Sequence, residues 1–261
     1  MIVPNRNRLS PKTPDPLVPP ESPLRNRSAV KRPPKNRPSK SPSRRSQDAD
    51  AEIAGVRIIG GKLRHRQLEY SGDLRTRPMK DRVRESVFNL VGPAIAGTQA
   101  IDLFAGTGAL GLEAISRGAI FATLIERHYP TSQLIKQNAK ALGVEEKCEV
   151  VFGDAFLWTR KHITHLNLLA VNPASHVSNL KSKISNPSAP WLVFCSPPFE
   201  FYVSRLPDML ELIASLWSAA PEGSLFLVEA DERLDFGLLP EPARWDVRNY
   251  RPAIIGLATK A

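Results

Sequence analysis

Cysteine is almost missing from this chain of 261 residues, which carries only Cys148 and Cys195. Two cysteines, far apart and each beside or within an apolar stretch, exclude a disulfide-stapled scaffold and read as free, buried thiols. The five histidines do not stand at ligand spacing from either of them, so no metal is expected. Long apolar runs are missing as well. No stretch approaches the roughly 18 residues of a membrane-spanning helix, and no secretory signal is expected. No membrane contact is expected, and the expected compartment is the cytoplasm. No internal repeat is visible.

Charge is plentiful but uneven. Residues 1–54 hold twelve Lys and Arg against five Asp and Glu, so seven of the chain's ten net positive charges lie there and about three remain for the rest. The same segment holds 11 of the 24 prolines and almost no apolar periodicity, which predicts a disordered basic arm. Its acids and prolines argue against a transit peptide. Two readings stay open for it: an arm attracted to the phosphates of RNA, or a solvating linker. Residues 55–261 are then the folded domain.

Within that domain the segment Asp102-Leu-Phe-Ala-Gly106-Thr-Gly108-Ala-Leu-Gly111 carries the densest signal. Residues 99–104 read as a short apolar strand and 109–117 as a helix with apolar positions at helical spacing. Gly106, Gly108 and Gly111 therefore occupy a strand-to-helix turn, where bare backbone lets a nucleotide lie close. A second apolar stretch, 120–125, ends in Glu126, about 20 residues after the first glycine, where a ribose-binding acid is expected. That much fits a nicotinamide dinucleotide equally well. Asp102 makes the difference, because a cofactor with an α-amino group needs a carboxylate near its ammonium, whereas a dinucleotide has no such need. The plainer reading is that Asp102 only orders the turn.

Asp154 ends a third strand-like stretch from Cys148, running into a loop. In open α/β sheets ligands lie beyond the carboxyl ends of the strands, so Asp102, Gly106, Glu126 and Asp154 should converge on one crevice. The fourth strand, Trp191-Leu-Val-Phe-Cys195, runs directly into Ser196-Pro197-Pro198-Phe199. Two prolines remove two donors and leave carbonyls that only accept, which suits an exocyclic amine. Phe199 offers a ring for a base to stack on. Together these residues point to methyl transfer from S-adenosylmethionine to such an amine.

The segments Arg57-Ile-Ile-Gly-Gly61, Leu74-Arg-Thr-Arg-Pro78, Asp81-Arg-Val-Arg-Glu85-Ser-Val-Phe-Asn89, Asp102 to Ala114 and Ser116-Arg-Gly118 resemble, in order and spacing, the bacterial RsmD-type family. Its members methylate the N2 amine of a guanine in small-subunit (16S) ribosomal RNA. The likeness covers roughly residues 56–160 and 191–261. It implies a Rossmann-like class I S-adenosylmethionine-dependent methyltransferase fold, a seven-stranded mostly parallel sheet with helices on both faces. It also implies a cofactor site at Asp102, Phe104, Gly106, Gly108, Gly111, Glu126 and Asp154, and a catalytic lip at Ser196, Pro197, Pro198 and Phe199. The implied partner is ribosomal RNA or an assembling small subunit, met by a monomer. One departure stands out: the family has Asp where this chain has Ser196. A neutral hydroxyl is a weaker acceptor than a carboxylate, so catalysis is slower here, another acid takes part, or the substrate differs. Glu200 is the adjacent candidate. Adenine-N6 methylation of DNA or RNA, and an RNA-binding relative with impaired turnover, remain as alternatives.

Around this centre, residues 55–70 predict a β-hairpin decorated by Arg57, Lys62, Arg64 and Arg66. With Arg77 and Arg82 they are the candidate phosphate contacts, although a solvated face is the commoner meaning of such charges. Asp81 is placed as the N-cap of a helix with Val83, Val87 and Leu90/Val91 on its apolar face, and Arg82 and Arg84 off it. Residues 160–190 read as an inserted surface excursion. A helix over 203–217, a fifth strand over 225–229 and a closing hairpin over 245–260 complete the chain.

Overall fold

The computed structural model of the chain describes residues 55–72, 78–171 and 188–261. The basic arm, Arg77 and the greater part of the expected insertion (172–187) lie outside the described residues. Seven strands form one sheet: β1 (Gln99–Asp102), β2 (Phe121–Glu126), β3 (Cys148–Phe152), β4 (Trp191–Cys195), β5 (Leu225–Ala230), β6 (Asp246–Tyr250) and β7 (Ala253–Thr259). Their order is β3-β2-β1-β4-β5-β7-β6. The first five are parallel, and β7 runs antiparallel between β5 and β6.

The helices are α1 (Asp81–Val91), α2 (Ala109–Ser116), α3 (Tyr129–Ala141), α4 (Ala155–Val171), α5 (Phe201–Ser204) and α6 (Leu206–Ala219). They cover both faces, which is why β1, β2, β4 and β5 are buried at every position and read as continuous apolar runs. Alternation along each strand sorts the layers. Ala100, Leu192, Phe194 and Leu227 pack with Phe88 of α1, Leu112 of α2 and Ile135 of α3. Ile101, Val193, Phe226 and Val228 pack with Phe156 of α4, Tyr202 of α5 and Leu212 of α6. Cys148 and Cys195 are both buried and free, and burial pushes each thiol up to about 12.

Four local expectations change. Asp81 is the first helical residue and not the N-cap; Lys80 precedes it, and the Asp81 carboxylate instead takes Arg57 at 3.0 Å and Arg84 at 2.9 Å. Arg84 is not off the packed face but fully buried, donating to the carbonyl of Arg57 at 2.6 Å as well. The helix expected over 203–217 is two helices that meet at Arg205, because Pro207 in the first turn of α6 has no N–H to donate to the Val203 carbonyl and its ring would clash with that carbonyl in a continuous helix. Residues 160–171 are not a surface excursion: they continue α4, whose Thr159 and His162 are buried.

The hairpin over 55–70 is present in reduced form. Arg57 and Gln67 make a single antiparallel bridge, flanked by Leu68 N to Val56 O at 2.7 Å and Ile58 N to Arg66 O at 2.9 Å. Val56, Ile58 and Leu68 point into the core, so burial rather than a continuous ladder holds the segment.

Candidate active site

The parallel strands deliver their carboxyl ends to one edge, and the order reverses between β1 and β4, which makes that point a natural crevice. Asp102 closes β1 there, in register with Leu124 of β2 and Phe194 of β4. Its side chain is buried, and Oδ2 accepts the Gly111 amide at 3.1 Å. Among the described residues Oδ1 is buried without a hydrogen bond of good geometry. Burial raises this carboxyl to about 7, against the pull of the Gly111 and Phe104 amides and with the help of nearby Glu126. An acceptor oxygen left over beside a glycine turn is what the ammonium of an amino-acid cofactor would fill, so the residues present fit S-adenosylmethionine.

Gly108 has φ +76° and a Cβ there would stand 2.9 Å from Ile135 Cγ2, and the other two glycines do different work. Gly106 has φ +52° and a Cβ there would meet nothing nearer than Phe104 O at 3.9 Å, so its absent side chain leaves backbone open to the crevice. At Gly111 a Cβ would stand 2.7 Å from Leu124 Cδ2, so this glycine is required by the packing of α2 on β2. Glu126 explains how the turn is held. Its Oε2 accepts the Gly106 amide at 2.8 Å and its Oε1 the His128 amide at 2.7 Å. Both oxygens keep a further lone pair, so anchoring the turn and binding a ribose are compatible.

Asp154 is where the sequence placed it, one residue beyond Gly153 at the end of β3, but it opens a helix and not a loop. Its Oδ1 accepts the amides of Phe156 at 2.9 Å and Leu157 at 3.1 Å, which caps α4. Phe104 joins Phe156 and Phe201 in an aromatic group with centroids 6.0 to 6.1 Å apart. The Arg205 guanidinium lies 3.8 Å from the Phe156 centroid. Phe156, Phe201 and Arg205 were not singled out from sequence, where an aromatic at a helix start looks like any other core residue.

Beyond β4 the lip divides. Pro197 is buried, Pro198 exposed, and Ser196 and Phe199 half-buried. The Pro198 and Phe199 carbonyls are already used, accepting from Phe201 at 2.9 Å and Tyr202 at 3.1 Å as α5 begins. Among the described residues nothing donates to the carbonyls of Ser196 and Pro197, so these remain the acceptors of the loop. Phe199 packs partly against the α6 side of the core.

The acid beside Ser196 is Glu229. Register places Cys195 opposite Val228, so Ser196 and Glu229 follow as neighbours, and the Ser196 hydroxyl donates to Glu229 Oε2. Burial raises the Glu229 carboxyl and the Ser196 hydrogen bond opposes this. Glu200, the sequence candidate, turns outward to Arg233 at 3.0 Å. Glu229 did carry a signal, since in β5 the apolar run Leu225–Val228 meets an acid next, as the runs of β1 and β2 do.

Of the basic candidates, Lys62, Arg64 and Arg82 are exposed and without a side-chain partner among the described residues, whereas Arg57 pairs with Asp81 and Arg66 donates to Ala141 O at 2.7 Å. A residue with no assigned role joins this region to the glycine turn. Glu113, fully buried in α2, accepts the amides of Ile59 and Gly60 at 2.7 Å each and Arg117 Nε at 2.8 Å.

Residues 56–186 match the family model described as Conserved hypothetical protein 95. Ribosomal RNA small subunit methyltransferase D of Escherichia coli (strain K12) is 33% identical over 199 residues, covering 76% of this chain and 85% of that protein. The Bacillus subtilis (strain 168) protein YlbH is 39% identical over 100 residues, 38% of this chain, which spans 54% of that relative. A solved Escherichia coli structure, that of yhhF, superposes with a TM-score of 0.57 at 30% identity, covering 80% of this chain and 99% of that one. The strand order, the glycine turn and these likenesses agree: the chain belongs to the RsmD-type methyltransferase family, on a Rossmann-like class I methyltransferase fold.

Proposed function

We propose that this chain methylates the N2 amine of a guanine in small-subunit ribosomal RNA. The observation that carries this reading is the position of Ser196 to Phe199, which leave β4 at the edge where Asp102 and the glycine turn close β1, on the adjacent strand. S-adenosylmethionine, when bound, supplies an electrophilic methyl group. Asp102 would take its ammonium, Gly106 would let it approach the backbone, and Glu126 would face its ribose, with Asp154 at the next strand end.

The lip has a different task. A guanine N2 lone pair is delocalised into the ring, and acceptors on its two hydrogens favour localising it on nitrogen. Ser196 Oγ and the carbonyls of Ser196 and Pro197 are such acceptors, and the half-buried Phe199 ring would stack against the base. Lys62, Arg64 and Arg82, exposed on the hairpin and α1, would meet phosphates. We assign the work to a monomer in the cytoplasm, acting on ribosomal RNA or an assembling small subunit. Among the described residues no helix is long and apolar enough to cross a membrane, and no cluster could hold a metal ion.

The test is transfer of labelled methyl groups to ribosomal RNA from cells lacking this gene, followed by nucleoside analysis. N2-methylguanosine confined to small-subunit RNA is expected. Label in N6-methyladenosine, or binding of RNA without any transfer, would replace this reading with one of the two alternatives.

A further inference from the structure

We propose that Glu229, acting through the Ser196 hydroxyl, provides the carboxylate that the lip of this chain lacks, so that Ser196 and Glu229 together accept the proton of the target amine. The inference rests on the methyltransferase reading above and names a positioning residue for it. Its basis is geometric. Ser196, one residue beyond β4, lies beside Glu229 of the adjacent parallel strand β5, the hydroxyl donates to Glu229 Oε2, and among the described residues Oε1 has no partner. The Glu229 backbone is itself fixed, since the Tyr202 hydroxyl donates to its carbonyl at 2.9 Å.

A serine whose proton is committed to a carboxylate must present lone pairs elsewhere. That turns an ambivalent hydroxyl, able to donate as well as accept, into an acceptor. The proton balance then closes. When the amine nitrogen forms its bond to the methyl carbon, the carbon–sulfur pair leaves with sulfur, and the nitrogen carries one proton too many. That proton passes to Ser196 Oγ while the hydroxyl's own proton passes to Glu229 Oε2. The products are a neutral secondary amine, an unchanged hydroxyl and a protonated Glu229, which water later deprotonates. Burial holds the Glu229 carboxyl above its ordinary value, which makes it a better proton acceptor than an exposed glutamate. The groups that face it are Ser196 beyond β4 and Tyr202 on α5; Cys195 and Asp231 act on Tyr202 in turn, and Arg233 is taken by Asp231 and Glu200.

The experiment measures single-turnover methyl transfer to small ribosomal subunits lacking the modification, binding of S-adenosylmethionine, and a carbon-13 NMR titration of the glutamate carboxyls. Glu229→Gln should slow transfer by about 100-fold with cofactor affinity retained, while Glu229→Asp keeps most of the rate. Adding Ser196→Asp to Glu229→Gln should restore at least about tenfold, because the carboxylate returns to the lip. Ser196→Ala should raise the Glu229 midpoint by removing the bond that holds it down, a readout independent of turnover. Unchanged transfer in Glu229→Gln, no rescue by the double variant, or an unmoved midpoint overturns the proposal while leaving the functional reading intact. A parent protein that transfers nothing to small-subunit RNA overturns that reading, and this inference with it.

Discussion

Asp102 uses one carboxylate oxygen to hold the Gly111 amide at 3.1 Å and, among the described residues, keeps the other buried without a hydrogen bond of good geometry. The first oxygen ties the strand to the helix, and in the proposed site the second would meet the cofactor's ammonium. Asp102→Asn should therefore lower affinity for S-adenosylmethionine by about 10- to 100-fold, the worth of one hydrogen bond to a charged group. NAD should not bind either form. Calorimetry with both ligands checks this, and tight NAD binding would overturn the cofactor assignment.

The same carboxyl sets a pH dependence. Its folded value is raised from 3.8 to about 7, so stability of the cofactor-free protein is lost as pH rises through that interval, when a buried charge forms. Cofactor affinity moves the opposite way, falling as pH drops below about 7 and the carboxylate is protonated. Asp102→Asn should flatten both trends and raise the melting temperature above neutral pH. Thermal unfolding and calorimetry across neutral pH measure the two together.

Gly106 and Gly111 should separate binding from stability. Gly111→Ala sets a Cβ 2.7 Å from Leu124 Cδ2 and should cost about 1–3 kcal/mol of repacking, offset only partly by helix propensity. Gly106→Ala costs about 1–2 kcal/mol for its left-handed backbone but places its methyl in the crevice. The larger loss of cofactor affinity is expected in Gly106→Ala, and the greater packing disturbance in Gly111→Ala. Equal loss of affinity in both would contradict this division of labour.

For RNA, replacing Lys62, Arg64 and Arg82 together by Ala should flatten the plot of log affinity against log salt by about two to three units, with cofactor affinity unchanged. Arg57→Ala and Arg66→Ala should flatten it less, because Arg57 pairs with Asp81 and Arg66 with a carbonyl. Deleting residues 1–50 should flatten it further. An unaltered slope in the deletion marks that segment as a linker.

Much of the fold was legible because β1, β2, β4 and β5 are buried on both sides, which writes itself into the sequence as unbroken apolar runs between turn residues. The crevice was legible for a related reason: Asp102 and Glu126 end two of those runs. Glu229 is less legible, standing one residue inside the end of β5 where no glycine turn or expected ribose spacing marks it. Arg84 was illegible in principle. Its neighbours on α1 give a clean apolar face without it, and the groups that accept from it, Asp81 and the Arg57 carbonyl, come together only when the hairpin folds back. The lip was half legible. The proline pattern gave the acceptors, but not that α5 claims the Pro198 and Phe199 carbonyls for its first turn.

Glu113 allows a related stability test. It serves two backbone amides and Arg117 from inside the protein, so Glu113→Ala leaves three donors unanswered and should cost about 3–5 kcal/mol. Glu113→Gln keeps one acceptor and should cost less. Hydrogen exchange at the Ile59 and Gly60 amides, faster in both variants, would locate the damage at the hairpin.

Helix α2 is only eight residues long, Ala109–Ser116, with Gly108 of the cofactor turn before it and the Lys62 amide bonded to its Ser116 carbonyl at 2.8 Å. It is therefore a ruler of about 12 Å between the glycine turn and the hairpin, which in the proposed function would serve different ligands. One added residue would swing the far mark by about 100° around the axis, carrying Lys62 and Arg64 off the face they occupy. The interval from Gly108 to Ser116, buried at every position, should thus accept neither an insertion nor a deletion, because a shift in length moves one end against the other.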